Sequence, residues 1–384
     1  MLTPFDDYPI HQTSDTIDRV ATSDRNFYDR YYFSLHDLKG EVFLVVALGV
    51  FPNIGVMDAF ATATQGETQW VVRASRELGG DRSHTVVGPI GVEVLEGLRR
   101  LRVWCAQTGG RPAEPNEWGL SFDVTFEGSH FPFEEPHFLR RAGNRVVMDY
   151  RRLTQAGRWS GELSVGDTRY EVTPEAFWGA RDRSWGIRPV GDREPASAPA
   201  SDGMRGFYWN WAPIQFSDSV LLYSVSEDAD GSRWHEVAVR AYPDATEREI
   251  ERLRVVRHDI RLKPGTRVFD GGSMTLAYAD GSEFTVEARP LRLLYMAGAG
   301  YSYTSGWRGG QYHGPLAVEG ERWDLTEPNA VERVHVQTET VCEYRVRDGS
   351  TGLTAGEIGY GPFELICLGA YEPYGFKTPL DVAK

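Results

Sequence analysis

Short segments with alternating apolar and polar residues follow one another along most of the chain. The segment NFYDRYYFSLHD, the turn LKG and the apolar segment EVFLVVALGVF predict a β-hairpin. Further hairpins are predicted with turns at Gly166-Asp167, Asp230-Gly231 and Asp280-Gly281, because Gly and Asp between alternating segments favour tight turns. The chain is therefore predicted to be all-β and antiparallel.

One segment lacks this alternation and divides the chain almost in half. The sequence RPVGDREPASAPASDGMRG, residues 188–206, is rich in Pro, Ala, Ser and Gly, as linkers often are. An aromatic strand, a turn containing Asp and an apolar strand open both halves. We therefore predict two β-domains, residues 1–190 and 207–384, joined by a linker over 191–206. Each is expected to form a barrel or sandwich.

Charge and cysteine content narrow the choice of partners and compartment. The 384 residues carry a formal net charge of −14, which repels phosphate backbones, so we expect no nucleic-acid partner. The sequence has no apolar run of the ~20 residues that a transmembrane helix needs, and no signal peptide is visible. The three Cys have no paired spacing and are predicted to be reduced thiols of a cytoplasmic protein.

The motif inventory leaves acid–base chemistry as the main candidate. Gly298 and Gly300 suggest a dinucleotide-binding fingerprint, but its third glycine position is Tyr303. The nine His residues are scattered, and neither a metal site nor another cofactor is predicted. Carboxylates, His and Tyr in an aromatic cavity remain, and such groups can transfer protons without a cofactor.

The stretch EAFWGARDRSWGIRP, residues 175–189, concentrates these residue types. Asp182 lies between Arg181 and Arg183, and Trp178 and Trp185 lie on either side. The stretch could be an ion-paired latch under aromatic side chains, or it could hold a carboxylate at the wall of an aromatic pocket. Burial raises the pKa of a carboxyl, whereas a neighbouring Arg lowers it.

The same stretch resembles the family that contains carotenoid 1,2-hydratase (hydroxyneurosporene synthase) and the AttH-like proteins. Its motif is Gly-x-x-(His/Arg)-Asp-(His/Arg)-x-Trp-Gly. Here Arg181, Asp182, Arg183, Trp185 and Gly186 fill the defined positions among the last six, and Gly179 lies one residue nearer to Arg181 than the motif has it. The resemblance implies two tandem lipocalin-like β-barrel domains and an aromatic site within or between them. It also implies that Asp182 supplies a proton to an isoprenoid double bond. Arg at 181 and 183, where His is common, favours an ionised Asp182 that orients a substrate or acts as a base.

Further candidate site residues lie in the second half of the chain. Trp209 and Trp211 share one face of a predicted strand, and Tyr208 and Asn210 share the other face. His137 and His313 are possible acid–base groups. We predict Asp182 and Arg183 as catalytic residues, and the predicted substrate contacts are Trp178, Arg181, Trp185, Tyr208, Trp209, Asn210, Trp211 and His313.

Three functions remain open from the sequence. The first is a cofactor-independent hydratase, lyase, isomerase or cyclase acting on an isoprenoid-, steroid- or polyketide-like molecule in an aromatic-lined pocket near the domain junction. The second is a non-catalytic binder or carrier of a lipid-like ligand, because lipocalin-like barrels often only bind. The third is a structural protein with an aromatic domain interface. The interpretation leans toward an enzyme.

Overall fold

Two antiparallel sheets contain nearly all of the regular structure in the computed structural model. The described residues are 1–10, 13–106, 117–192, 206–244, 249–301, 306–326, 337–348 and 353–384. Besides strands, they form short 3₁₀ helices at Pro4–Asp7, Pro52–Ile54, Met296–Ala299 and Glu372–Tyr374. No helix in these ranges is long and apolar enough to cross a membrane. The all-β prediction is confirmed.

The strands run in chain order through both halves. Those before the predicted linker are β1 (Phe27–Asp37), β2 (Val42–Phe51), β3 (Val56–Gln65), β4 (Thr68–Glu77), β5 (Val86–Val87), β6 (Ile90–Glu96), β7 (Arg100–Cys105), β8 (Leu120–Gly128), β9 (Phe133–Glu134), β10 (Phe138–Ala142), β11 (Arg145–Val165), β12 (Thr168–Val172) and β13 (Phe177–Ile187). Those after it are β14 (Gly206–Gln215), β15 (Val220–Glu227), β16 (Arg233–Ala241), β17 (Glu251–Arg252), β18 (Arg254–Leu262), β19 (Phe269–Ala277), β20 (Glu283–Tyr295), β21 (Leu316–Asp324), β22 (Thr338–Asp348) and β23 (Ile358–Gly369). The predicted hairpins correspond to β1–β2, β11–β12, β15–β16 and β19–β20.

The first sheet curls into a nearly closed barrel. Its main path is β21-β4-β3-β2-β1-β13-β11-β8-β7-β6-β5. Side chains help to join its two ends, because Arg76 on β4 donates hydrogen bonds to the carbonyl oxygens of Val86 (2.8 Å) and His84 (2.7 Å). The apolar side chains that point inward from these strands form the first core.

The second sheet curls in the same way, in the order β17-β16-β15-β14-β23-β22-β20-β19-β18. Its ends are joined through Val255 on β18. The Val255 backbone N–H donates to the Glu236 carboxylate at 2.7 Å, and Arg233 donates to the Val255 carbonyl oxygen at 2.9 Å. A second apolar core fills the inside of this barrel.

One strand crosses between the halves of the chain. β21 belongs to the second half in sequence, but it pairs antiparallel with β4 of the first sheet from Leu316 opposite Arg76 to Asp324 opposite Thr68. Most of the predicted linker, residues 193–205, lies outside the described residues. The boundaries 1–190 and 207–384 therefore stay a prediction, and the first sheet takes one strand from beyond them.

The two barrels pack against each other through the outer faces of their strands. Tyr32 on β1 and Ala180 on β13 point away from the first core and join a third apolar cluster with Trp209 and Trp211 of β14. Strand β1 is buried at every residue, because one face lines the barrel and the other lies in this junction. We call this outer-face contact the junction.

The N-terminal segment closes one end of the first barrel with buried charges. Asp7 and Arg181 are both fully buried and form an ion pair, and Arg181 also donates to Gln155 at 2.8 Å. Asp7 further accepts a hydrogen bond from the backbone N–H of Leu98. Removing one partner of such a pair leaves the other charge buried without compensation.

Asp7→Ala is expected to lower the free energy of unfolding by about 3–5 kcal/mol, because Arg181 would remain buried and charged without its partner. Urea denaturation measures the change. The matched control is Glu162→Ala, which breaks the exposed pair between Glu162 and Arg169 and should cost about 1 kcal/mol or less. Equal effects of the two substitutions would contradict a stabilising role for the buried pair.

Candidate active site at the junction

Asp182 lies on the junction face of β13, between Tyr32 of β1 and Thr154 of β11 in the strand register. It lies deep in the junction, yet part of the side chain remains accessible. It forms no side-chain hydrogen bond and no ion pair with any described residue. Burial raises the pKa of Asp182, and the positive charges of Arg152, Arg30 and Arg188 act in the opposite direction.

Arg181 and Arg183 point away from Asp182, into the first barrel. Adjacent residues of a strand face opposite sides of the sheet. Arg181 accordingly pairs with Asp7, and Arg183 pairs with Asp29. The expectation that these two arginines hold Asp182 ionised is therefore wrong. The positive charges near Asp182 come from other strands and from the residue after β13.

Two carboxyls from the second sheet lie with Asp182 at the junction. Glu339 of β22 and Glu364 of β23 are register partners, and their exposed fractions are 0% and 4%. The Tyr32 hydroxyl donates a hydrogen bond to Oε2 of Glu339. The other oxygen of Glu339, Oε1, is buried and has no hydrogen-bond partner among the described residues.

The environment of Glu339 and Glu364 favours their neutral forms. Burial raises the pKa of Glu339 to about 8, the Tyr32 hydrogen bond lowers it, and the charge of Asp182 raises it. Burial also raises the pKa of Glu364 well above its usual value, and the charges of Glu339 and Asp182 add to this rise. At neutral pH, Glu339 is therefore mostly protonated and able to donate a proton.

Aromatic side chains form the apolar wall beside these carboxyls. The Tyr32 ring meets the Trp211 ring edge to face, with 5.7 Å between centroids. The Arg152 guanidinium lies over the Trp209 ring, 5.0 Å from its centroid, and donates to Glu135 at 2.6 Å. Asp182, Trp209 and Trp211 are the predicted site residues that the fold brings to the junction core.

Tyr208 and Asn210 lie inside the second barrel, on the opposite face of β14 from the two tryptophans. The Tyr208 hydroxyl donates to Asn210 at 2.9 Å, and the Tyr208 ring stacks on Tyr371 with 4.4 Å between centroids. The predicted division of β14 into two faces is thus confirmed. Asn210, which needs partners when buried, has them within its own barrel.

Four further candidates lie apart from the three carboxyls of Asp182, Glu339 and Glu364. They are Trp178, Trp185, His313 and His137. Trp178 packs on Tyr360 with 5.9 Å between ring centroids, and Trp185 lies 5.8 Å from the guanidinium of Arg183. His313 stacks on Trp307 at 3.9 Å, and His137 contacts Asp149 at 2.6 Å. Their predicted roles in substrate binding or proton transfer are not supported by proximity to Asp182.

The sequence reasoning missed Glu339 and Glu364. Glu364 is the single carboxylate of β23 and lies in the apolar stretch PFELICL, whereas Glu339 lies between two threonines of β22, a strand that also contains Glu343 and Asp348. A carboxylate in an apolar stretch is expected to be buried or to face a junction, so a signal was available for Glu364 but not for Glu339. Glu339 and Glu364 meet because β22 and β23 are neighbours in the second sheet, and the sequence did not reveal this strand order.

An open cleft lies elsewhere between the two halves. Its volume is about 390 Å³. The residues that line it are Glu127, Gly128, Ser129, Arg158, Trp159, Ser160, Pro174, Gln215, Phe216, Ser217, Asp218, Ser219, Val220 and Pro243. None of the site residues predicted from the sequence is among them. Across the described part of the chain, no three or more His, Cys, Asp or Glu side chains are grouped to hold a metal ion.

The raised pKa of Glu339 predicts how stability depends on pH. The folded state holds an extra proton between the ordinary pKa of 4.5 and the folded value of about 8, so the free energy of unfolding falls as pH rises through this window. In Glu339→Gln, the free energy of unfolding should fall less steeply with pH than in the wild type, by at most about 1.4 kcal/mol per pH unit. Urea denaturation from pH 5 to 9 measures the slope.

The matched control is Glu343→Gln. Glu343 lies four residues further along the same face of β22 and pairs with Arg289 at the surface, 3.0 Å away. It should keep the wild-type slope. Identical slopes in the wild type and in Glu339→Gln would mean that Glu339 is ionised throughout this range.

Several solved structures are similar to this chain. CghA with Sch210972 shares 11% identity at a TM-score of 0.48, over 92% of this chain and 89% of that protein. NE1406 of Nitrosomonas europaea, assigned to AttH, shares 12% sequence identity at a TM-score of 0.47. The match covers 90% of this chain and 94% of that protein. Kievitone hydratase of Nectria haematococca shares 14% sequence identity at a TM-score of 0.45, and the match covers 88% of each chain.

No curated protein matches the chain. A protein family whose description reads "Family of unknown function (DUF8625)" matches residues 2–377, which is nearly the whole length. The chain belongs to this family.

Proposed function

We propose that this protein is an acid–base enzyme that acts on a hydrophobic small molecule at the junction and needs no cofactor. The observation that carries the proposal is the group of three carboxyls, Asp182, Glu339 and Glu364, next to Tyr32 and two tryptophans. Buried carboxyls whose pKa values are shifted are frequent in active sites. A purely structural junction would be more stable with apolar residues at these positions.

Glu339 is the proposed general acid. It is mostly neutral at pH 7, because burial raises its pKa to about 8. Tyr32 donates to Oε2, so Oε1 is the oxygen available to carry the acidic proton. Glu364, whose pKa is raised by burial and further by the neighbouring Glu339, is a second neutral carboxyl beside it. After each turnover, the proton taken up at Asp182 restores the neutral form of Glu339.

Asp182 is the proposed base. Three arginines act against the rise in its pKa caused by burial, whereas among the described residues Arg30 alone acts on Glu339 in this way. Two carboxyls with pKa values pushed apart by their surroundings can serve as acid and base in one site. Part of the Asp182 side chain is accessible and has no partner in the described residues, so it can accept a proton from a substrate or from water.

The proposed reaction class follows from this pair. Glu339 gives its proton to a carbon–carbon double bond or a carbonyl oxygen, which leaves a positive charge on the substrate. In hydration, water then adds to this cation and gives a proton to Asp182. In isomerisation or cyclisation, Asp182 takes the proton from a substrate carbon. In each case one proton is gained and one is lost, and no oxidant or reductant is needed.

The aromatic wall indicates the type of substrate. Trp209 and Trp211 present large apolar surfaces, and aromatic faces stabilise a nearby cation by about 0.5–2 kcal/mol. A hydrophobic polyene, steroid or polyketide skeleton would be the matching substrate class. Deuterium incorporation is a suitable readout, because every reaction of this class exchanges a substrate proton with an acidic group of the enzyme.

The test is incubation of the purified protein in D₂O with a panel of isoprenoid alkenes and polycyclic enones, followed by mass spectrometry. Wild-type protein should convert or deuterate at least one compound. Glu339→Gln and Asp182→Asn should each slow this reaction by about 10²–10⁴-fold, which is the usual contribution of a positioned acid or base. Glu343→Gln is the control, and its rate should stay within about twofold.

The alternative function is that of a non-catalytic carrier of a lipid-like ligand. The cleft of about 390 Å³ favours this alternative, because it lies away from the three carboxyls. Native mass spectrometry of the purified protein would detect a retained ligand. A bound compound that is turned over equally by the wild type, Glu339→Gln and Asp182→Asn would refute the proposed enzyme.

A further inference from the structure

Arg188, directly after β13, has a guanidinium group that donates no hydrogen bond within the part of the chain that the structure describes. Its central carbon lies 4.3 Å from the centroid of the Tyr28 ring and 5.9 Å from that of Tyr301. The side chain forms no hydrogen bond or ion pair with any described residue, and part of it remains accessible. A guanidinium carries five N–H donors and no acceptor, so these donors are available to a ligand.

The other two arginines near Asp182 are already engaged. Arg30 donates to the Tyr301 hydroxyl and to the carbonyl oxygen of Ala299. Arg152 pairs with Glu135 at 2.6 Å. Among the described residues, Arg188 is the one of the three that donates no side-chain hydrogen bond at all, whereas Arg152 leaves its buried Nε–H without a partner. The two tyrosine rings hold Arg188 in place without using its donors.

The charges around Arg188 are nearly balanced. When Glu339 and Glu364 are neutral, Arg30, Arg152 and Arg188 contribute three positive charges, and Asp182 and Glu135 contribute two negative charges. Asp58 also faces Arg30 and Arg188, and burial raises its pKa to about 7. With Asp58 protonated, this part of the junction has a net charge of about +1, which a ligand with a single negative charge would neutralise.

We propose that Arg188 binds an acidic oxygen group of the substrate, so that the substrate is a hydrophobic molecule with one acidic end. The inference rests on the proposed function, because it concerns the same site. A carboxylate, sulfonate or phosphate would fit the guanidinium equally well, since all present paired acceptor oxygens. In this arrangement Arg188 holds the acidic end, and the apolar skeleton extends toward Trp209 and Trp211.

Two fluorescent probes that differ by one acidic group provide the test. 8-Anilinonaphthalene-1-sulfonate carries a sulfonate, and N-phenyl-1-naphthylamine has the same rings without it. Wild-type protein should bind both, with the sulfonate bound more tightly. Arg188→Gln should weaken the sulfonate probe at least ~10-fold, as expected for a hydrogen bond to a charged group, and change the neutral probe less than ~2-fold. Fluorescence titration measures each affinity.

Two further variants keep the result interpretable. Arg188→Lys retains the charge and should recover part of the sulfonate affinity, which a misfolded protein would not do. Arg158→Gln removes another arginine that lies over a ring, 4.8 Å from the centroid of Trp178, but at the open cleft away from the three carboxyls. It should leave both affinities unchanged.

The outcomes separate the two proposals. If the wild type binds neither probe, there is no accessible apolar site, and the proposed function fails together with the inference about Arg188. If the neutral probe binds but Arg188→Gln leaves the sulfonate affinity unchanged, only the inference about Arg188 fails. A loss of sulfonate binding in Arg158→Gln also overturns it, because the acidic group would then be bound in the other cleft.

Discussion

Strand β1 is buried on both faces, and the adjacent strand β13 is buried or half-buried along its length. This placement between the two barrels determines what each of their residues can do. One face lines the first barrel and the other packs on the second barrel. Because side chains alternate along a strand, adjacent residues enter different environments. Arg181 and Arg183 stabilise the barrel end through Asp7 and Asp29, while Asp182 reaches the junction. Two ion-paired arginines that stabilise the barrel end and one candidate catalytic carboxyl therefore occupy three consecutive positions.

The junction also explains why its carboxyls differ from ordinary ones. An ionised carboxylate that loses water without gaining a close partner is costly, so a buried carboxyl tends to hold its proton instead. Glu339 and Glu364 face each other in the register of β22 and β23, and each makes ionisation of the other more costly. Burial also raises the pKa of Asp182, and the charges of Arg152, Arg30 and Arg188 oppose this rise. Packing two barrels together thus brings three carboxyls with raised pKa values into one place.

The sequence was sufficient for the features that depend on neighbouring residues. Alternation predicted the all-β class, Gly-Asp and Asp-Gly turns predicted hairpins, and the division of β14 placed Trp209 and Trp211 on one face. It was not sufficient where distant strands meet. The arginines around Asp182 were assigned from adjacency, but Arg30 and Arg152 reach it through strand pairing. Glu339 joins the site only because β22 follows β23 in the second sheet.

The crossing strand β21 has a consequence for how the protein is made. During synthesis, the strands of the first barrel leave the ribosome well before β21, so the outer edge of β4 must wait unpaired while much of the second half is translated. An unpaired edge is a template for pairing with other chains. The basic side chains Arg73 and Arg76 on β4 disfavour such contacts, and Arg73 later pairs with Glu321 of the incoming strand. The first sheet consequently gains its last strand only after much of the second half has been made.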